Sequence, residues 1–339
     1  MVSAGVHSLA TDHWRFRTAP HRMETMDNMH SPPTFSAPTI VSGATGLIGS
    51  RLLPHLHHPT ALSRSANHKQ SQSDGGTESI NWVQWNSGQI LDPATLPAAD
   101  AVVHLAGEPI AASRWTTETK QKIRDSRVIV TRCLVKSMAR MNPRPSVLVA
   151  ASAVGYYGHR PGETLDEESA AGEGFLADVC EEWEAEAAEA EHLGIRVCRL
   201  RLGVVLHPTS GALEKMLPFF KLGIAGPLGT GRQHFPWVHI DDVIGLILHC
   251  LQNNDVSGPV NAVAPQPITN LQFTRSLGRV LHRPTLLPVS KFGLKVMYGD
   301  FADALFEDQK VLPNVAMETH YQFQFENVDS ALKDLLVHP

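Results

Sequence analysis

Ser152 and two tyrosines close behind it, Tyr156 and Tyr157, are the residues of this sequence best suited to acid–base chemistry. They follow an apolar run, and the two phenols lie between Gly155 and Gly158. A hydroxyl and a phenol held side by side can bond to a carbonyl oxygen and protonate it. Tyrosines beside glycines are also common packing devices, so the sequence leaves a structural role for both phenols open.

Three glycines, Gly43, Gly46 and Gly49, could bind phosphate through their spacing G-x-x-G-x-x-G. The first would make a tight turn, the second would let the backbone approach a pyrophosphate, and the third would bring a helix close to a strand. A glycine triplet alone also suits ordinary turns. Here a β-branched pattern over 39–41 precedes it and an apolar helical pattern follows, which predicts a dinucleotide-binding loop. The other predicted cofactor contacts in this loop are Thr45, Leu47 and Ile48.

The residue about twenty positions beyond such a loop distinguishes the nicotinamide coenzymes, because an acid bonds the ribose of NAD whereas an arginine accommodates the 2′-phosphate of NADP. The strand predicted over 60–63 leads into Ser63 and Arg64, and no Asp or Glu occurs over 60–72. We therefore expect NADP(H), with Ser63 and Arg64 at the 2′-phosphate. Arg64 could instead be an ordinary surface residue. Asn86, after the next predicted strand, could equally bond an adenine edge or open a turn.

The apolar run 101–107 predicts a parallel strand buried on both faces. It ends in Leu105, Ala106 and Gly107, where small residues would let the cofactor approach the backbone. The Ala-Gly pair could equally be a plain exit from the strand. Glu108 follows at the edge where such sheets bind ligands, so we assign it to the substrate.

An irregular stretch farther along contains one arginine, two aromatic residues and two histidines, which suits a substrate-binding surface. Its candidates for substrate contact are Arg232, Trp237 and His239. Asp241 and Asp242 follow, and the sequence predicts one of them as the N-cap of the next helix.

The composition argues against several classes of partner. With 29 basic and 34 acidic residues and a net charge of -5, the chain has no basic field for nucleic acid and no cationic face for a membrane. We expect a small-molecule substrate and a cytoplasmic location, while the oligomeric state stays open. The four cysteines lack C-x-x-C spacing and are interpreted as reduced core thiols. His55, His57 and His58 lack the pattern of a zinc site, so no metal is expected.

Strands that alternate with helices along most of the chain predict an α/β fold with a doubly wound parallel sheet. Residues 1–36 show no sustained apolar period and are expected to be a disordered extension. Residues 37–284 would form the nucleotide-binding domain, with contributions to the substrate lobe from about 204–240. Residues 285–339 would form a smaller C-terminal α/β cap.

Taken together, these motifs resemble those of the extended short-chain dehydrogenase/reductases. The resemblance rests on residues 43–49, 104–107, Ser152 after a strand, and 237–242, in that order. A narrower resemblance is to the atypical, YfcH-like subgroup of the NAD(P)-dependent epimerase/dehydratase family. This narrower resemblance rests on residues 106–110, 126–127, 152–158 and 229–233. Over roughly residues 39–336, the resemblance implies a seven-stranded parallel Rossmann sheet, NADP(H) in the first half and a pocket closed by the C-terminal lobe.

The sequence departs from that superfamily at its proton relay. The usual Tyr-x-x-x-Lys pair uses the lysine to lower the pKa of the tyrosine and to hold the ribose, but residues 175–180 supply neither member. By the resemblance, Ser152 is the catalytic serine, and the acid would be Tyr156 or Tyr157, with Glu108 as second candidate.

Two functions therefore stay open. One is an NADP(H)-dependent oxidoreductase or epimerase acting on a carbonyl or sugar-like substrate. The other is a cofactor-sensing or regulatory protein that has lost catalysis, which the missing pair favours. The number of polar and aromatic residues predicted near the nicotinamide favours the enzyme.

Overall fold

The computed structural model of the chain describes residues 34–65, 79–111 and 113–337. The strands are β1 Thr39–Ser42, β2 Thr60–Ser63, β3 Asn81–Gln84, β4 Ala101–His104, β5 Val147–Ala153, β6 Thr164–Leu165, β7 Arg196–Leu202, β8 Val204–Leu206, β9 Trp237–His239, β10 Gly258–Ala262 and β11 Lys310–Val311. The helices are α1 Leu47–Leu52, α2 Thr117–Met138, α3 Phe175–Ala188, α4 Gly211–Lys221, α5 Ile240–Gln252, α6 Asn270–Leu281, α7 Lys291–Tyr298, α8 Phe301–Ala304, α9 Asn314–Glu318 and α10 Val328–Val337.

Seven of the strands form one parallel sheet in the order β10-β7-β5-β4-β1-β2-β3. The strand order reverses at β1, which lies between β2 and β4. In open α/β sheets, ligands bind beyond the carboxyl ends of the strands at such a reversal. The predicted doubly wound sheet is confirmed, and the glycine loop that follows β1 lies at this reversal.

Helices cover both faces of the sheet, because successive residues of a buried strand point to opposite sides. Ile40, Val102 and Leu148 pack in one buried cluster with apolar side chains of α2. Their neighbours Val41 and Val103 pack in a second cluster with those of α5. The exposed fraction of each of these five residues is 2% or less, which explains why the central positions of β1, β4 and β5 are consecutive apolar residues rather than alternating ones.

Two elements predicted as continuous are interrupted. The sequence pattern favours one strand over 195–206, but the chain divides at Gly203, and β8 pairs with β9 outside the main sheet. The pattern also favours one helix over 291–306, whereas α7 ends before Gly299. The backbone there has φ +66°, a conformation that glycine adopts at little cost.

The C-terminal elements pack against elements that come earlier in the chain. α10 contacts α6, and β11 pairs in parallel with β6. Residues 1–33 lie outside the described residues, so the extension over 1–36 stays a prediction, as do the boundaries 37–284 and 285–339. Within the described ranges, no helix is both long and apolar enough to cross a bilayer.

Candidate functional site

The glycine loop between β1 and α1 has the geometry of a dinucleotide-binding turn. Gly43 has φ +71°, and a Cβ there would lie 2.6 Å from the carbonyl carbon of Leu105 after β4. A Cβ at Gly49 would lie 2.7 Å from the Cα of Ala44, so glycine is needed for α1 to approach the turn. The Gly46 N–H donates to the Gly43 carbonyl oxygen (3.0 Å), and no side chain caps α1. The start of α1 is therefore open to a phosphate.

The residues that follow β4 lie beside this loop. The backbones of Leu105 and Ala106 contact Gly43, whereas Gly107 and Glu108 are exposed. The structure thus brings the predicted cofactor contacts of two strands to one edge of the sheet. Within the loop, Thr45 is exposed, while the side chains of Leu47 and Ile48 are half-buried.

The ends of β2 and β3 continue the same edge on the other side of β1. Ser63 is half-buried, and its Oγ accepts the backbone N–H of Ser65 (3.2 Å). Arg64 is exposed. Asn86 is also exposed, and its carbonyl oxygen accepts the N–H of Gln89 (2.9 Å). Asn86 therefore opens a turn, which is one of the two roles predicted for it. A contact of Asn86 with adenine stays a prediction.

Ser152 belongs to a buried charged network behind this edge. It lies near the carboxyl end of β5, is 2% exposed, and its Oγ donates to Glu184 Oε1 (2.6 Å) on α3. Arg201, on β7, donates from Nε to Glu184 Oε1 (2.8 Å) and from Nη2 to Oε2 (2.9 Å). Burial by itself would lower the pKa of Arg201, but the Glu184 carboxylate outweighs burial and the pKa is raised. The network therefore holds the Ser152 hydroxyl in one orientation.

The two tyrosines have different environments. Tyr157 is fully buried, and its hydroxyl accepts Arg201 Nη1 (2.9 Å) and donates to Asn261 Oδ1 (2.7 Å). Burial raises the pKa of Tyr157 to about 12. Tyr156 is half-buried, its ring centre lies 3.5 Å from the guanidinium carbon of Arg201, and it borders an open cavity of about 360 Å³. The structure argues against Tyr157 as proton donor, because its hydroxyl is already bonded within the core.

Helix α3 contains neither tyrosine nor lysine. Cys180, on its buried face, lies beside Ser152, and burial raises the pKa of this thiol to about 12. A thiol with so high a pKa stays protonated near neutral pH and is a poor nucleophile. All four cysteines are buried and unpaired, as the sequence predicts.

Glu184 and Arg201 are not among the predicted site residues, although the sequence contains a signal for each. Arg201 is a charge inside the apolar pattern of β7, and Glu184 lies four residues after Cys180 on the buried face of α3. Charged residues are rarely buried unless they are paired, so these two positions together indicate a buried ion pair. The two side chains meet only because α3 packs on the sheet beside β7. The spacing of residues along the chain does not predict that packing.

Two of the three residues proposed for the substrate-binding surface are buried. Arg232 is exposed, but Trp237 and His239 are each 1% exposed. Trp237 packs in a buried cluster with apolar residues of α4, α6 and α10. The His239 ring stacks on Phe325 with 3.9 Å between ring centres. Both side chains are core residues, because elements distant along the chain cover β9.

His239 also caps α5. Its Nδ1 accepts the backbone N–H of Asp241 (3.1 Å), so His239 is the N-cap where the sequence predicts Asp241 or Asp242. Its Nε2 lies 3.3 Å from Asp334 Oδ2, and with Asp241 these residues could in principle hold a metal ion. The capping bond leaves the proton of the neutral ring on Nε2. Among the described residues that buried nitrogen makes no hydrogen bond, although Asp334 lies near it.

The sequence pattern of the NAD dependent epimerase/dehydratase family matches residues 39–263. The chain belongs to this family. A domain of unknown function, DUF1731, matches residues 289–335. The two matches confirm the family resemblance inferred from the motifs, and they follow one another along the chain.

Several relatives of this family share most of the chain's length. The Arabidopsis thaliana epimerase family protein SDR39U1 homolog, chloroplastic, is 39% identical over 306 residues, 87% of this chain and 86% of that protein. The Homo sapiens epimerase family protein SDR39U1 is 34% identical over 305 residues, 88% of this chain and 99% of that protein. Because the Arabidopsis relative is named as chloroplastic, the cytoplasmic location of this chain stays a prediction.

A solved structure supports the same relationship. The crystal structure of human epimerase family protein SDR39U1 (isoform 2) with NADPH matches this fold with a TM-score of 0.78 at 32% identity. The match covers 89% of this chain and 100% of the human chain.

Proposed function

We propose that this protein binds NADP(H) at residues 43–49 and transfers hydride between the nicotinamide and a small carbonyl or sugar-like substrate. The glycine loop carries the proposal, because backbone atoms fill the Cβ positions of Gly43 and Gly49 while the start of α1 stays open. The human relative with NADPH supports the same cofactor. The exposed Arg64 at the end of β2 supports the phosphorylated form.

In the proposed reaction the cofactor supplies the hydride. The protein binds and orients the substrate and moves the proton. Ser152 orients the hydroxyl form of the substrate by accepting a hydrogen bond from it, because the Ser152 hydroxyl itself donates to Glu184, which Arg201 fixes in turn. Tyr156 is the first choice for proton donor, because it borders an open cavity whereas Tyr157 is bonded within the core. Glu108, exposed after β4, is the second choice.

Titration of the purified protein with NADPH and NADH tests the cofactor assignment. Arg64→Ala should weaken NADPH binding by about tenfold or more and leave NADH binding nearly unchanged, because only NADPH has the 2′-phosphate. Arg275→Ala, at an exposed position of α6, is the matched control and should change neither affinity. Equal weakening of both coenzymes by Arg64→Ala would show that Arg64 does not read the 2′-phosphate.

A second candidate function is NADP(H) sensing or regulation without turnover. Two observations favour it, the absence of tyrosine and lysine from α3 and the bonding of the Ser152 hydroxyl to Glu184. A panel of carbonyl compounds, with nicotinamide absorbance as readout, separates the two functions. Turnover that Ser152→Ala slows supports the enzyme, whereas tight NADPH binding with no turnover of any compound supports the sensor.

A further inference from the structure

Arg127, in the first half of α2, is not the solvated charge that its place on a long helix suggests. Its guanidinium carbon lies 5.2 Å from the ring centre of Trp183 on α3. On the other side, a Cβ at Gly107 would lie 3.5 Å from the same carbon. The fold thus places a half-buried cation between α3 and the residues that follow β4.

Only part of this guanidinium is hydrogen-bonded. Nη1 donates to the carbonyl oxygens of Glu108 and Ile123 (3.1 Å each), with Ser126 Oγ at 3.3 Å. In the portion of the chain that the structure describes, Nε and Nη2 have no acceptor and no carboxylate forms an ion pair with Arg127. Neither nitrogen is among the buried polar atoms that lack a partner, so both reach solvent and can donate to an anionic or oxygen-rich ligand.

The position of Arg127 along the sheet edge indicates which ligand. Gly107 is two residues beyond Leu105, whose backbone contacts Gly43 of the glycine loop. In the order β5-β4-β1-β2, Arg64 follows β2 whereas Arg127 lies on the β4 side, toward β5 and Ser152. A dinucleotide whose 2′-phosphate is at Arg64 and whose pyrophosphate is at the loop extends its nicotinamide half toward Arg127.

We propose that Arg127 is a cofactor-binding residue whose Nε and Nη2 donate to the phosphate on the nicotinamide side of NADP(H). An arginine presents these donors in a fixed plane, which suits two parallel hydrogen bonds to phosphate oxygens. Helix α3 contains no lysine. Arg127 therefore supplies from α2 a positive charge that α3 does not supply. The inference rests on the proposed function, since it requires NADP(H) in the crevice.

Calorimetric titration of the full chain with two ligands tests this assignment. Arg127→Ala should weaken NADPH binding by about tenfold or more, because charged hydrogen bonds are lost. Arg127→Lys, which keeps the charge but not the planar pair of donors, should weaken it less. Adenosine 2′,5′-bisphosphate lacks the nicotinamide half, so Arg127→Ala should leave its affinity unchanged.

Arg124→Ala is the matched control, because Arg124 lies one turn earlier on α2 and forms an ion pair with Glu182. It should change neither affinity. If melting shows that Arg127→Ala is unfolded, Arg127→Met keeps the packing on Trp183 and serves in its place. Unchanged NADPH affinity in the folded variant, or equal weakening of both ligands, overturns the assignment. If the unaltered protein binds neither ligand, the proposed function itself fails, so the two failures are distinguishable.

Discussion

Single buried polar residues hold the strands of the sheet edge together, and His104 is the clearest case. At the end of β4, its Nδ1 lies 2.5 Å from Ser42 Oγ on β1 and its Nε2 lies 2.9 Å from Thr131 Oγ1 on α2. One side chain therefore links three elements directly beneath the glycine loop. Burial lowers the pKa of His104 to about 4, so the ring is neutral in the folded protein near pH 7.

His104 should make the stability of the protein depend on pH. Its pKa is about 4 in the folded chain against a usual value of 6.5, so between these values only the unfolded chain takes up the proton. The free energy of unfolding should fall as pH falls through this window, by roughly 3 kcal/mol at pH 4. Urea denaturation at pH 7 and pH 4.5 measures the effect, which His104→Asn should reduce and His192→Asn, at an exposed position, should not. The same pH dependence in all three proteins would contradict this role of His104.

At the scale of elements, β1, the glycine loop and α1 act as one unit that also needs the end of β4. Gly43 turns the chain away from β1 and contacts the backbone of Leu105, so the loop and the residues after β4 determine each other's positions. Because strand ends of a parallel sheet meet at one edge, this contact also sets the distance between the phosphate loop and Gly107. Packing and the cofactor binding proposed for this loop therefore depend on the same backbone contact.

Gly43→Ala should damage both properties at once. The added Cβ would lie 2.6 Å from the Leu105 carbonyl carbon and would hold a non-glycine residue at φ +71°. We expect a loss of about 1 to 3 kcal/mol of unfolding free energy and loss of NADPH binding. Gly88→Ala is the control, since no atom lies within 4 Å of its added Cβ. A folded Gly43→Ala protein with unaltered NADPH affinity would contradict the assignment of the loop to phosphate.

At the scale of the whole molecule, a buried carboxylate on α5 joins that helix to C-terminal residues 321–325. Asp242, on α5, is fully buried and accepts the backbone N–H groups of Gln324 at Oδ1 (2.8 Å) and Phe325 at Oδ2 (3.0 Å). The hydroxyl of Tyr321 also lies 3.2 Å from Oδ1. The C-terminal residues thus lie against α5 through specific hydrogen bonds as well as apolar packing, and the segment covered by DUF1731 is part of this contact.

Asp242→Ala should destabilise the whole chain. It removes the acceptor of two backbone N–H groups and of the Tyr321 hydroxyl, which should lower the free energy of unfolding by about 2 to 5 kcal/mol. Asp241→Ala, the adjacent residue with 47% of its side chain exposed, should cost less than about 1 kcal/mol. Thermal or urea unfolding measures both. Equal losses in the two variants would show that the Asp242 carboxylate does not join these residues.

The features that the sequence predicts correctly are those encoded over a few neighbouring residues. The doubly wound sheet follows from apolar runs alternating with helical periods, and the tight turn between β1 and α1 follows from three glycines within seven positions. The surroundings of individual side chains are not encoded in this way. Trp237, His239 and Tyr157 are of residue types that suit a binding site, yet each is buried by elements that lie elsewhere along the chain.

The sequence by itself determined the fold class and the order of the motifs, because periodicity, turn-forming glycines and strand ends are properties of local spacing. The family followed from the resemblance of those motifs to the ones of known proteins. Only the tertiary structure decided that Ser152 bonds to Glu184 and that Arg127 lies between Gly107 and Trp183. The Ser152–Glu184 bond joins residues 32 positions apart and the Ser42–His104 bond joins residues 62 positions apart, so both depend on strand order and on how helices pack across the sheet. Burial then sets the charge state and bonding of each polar group, which spacing along the chain does not encode.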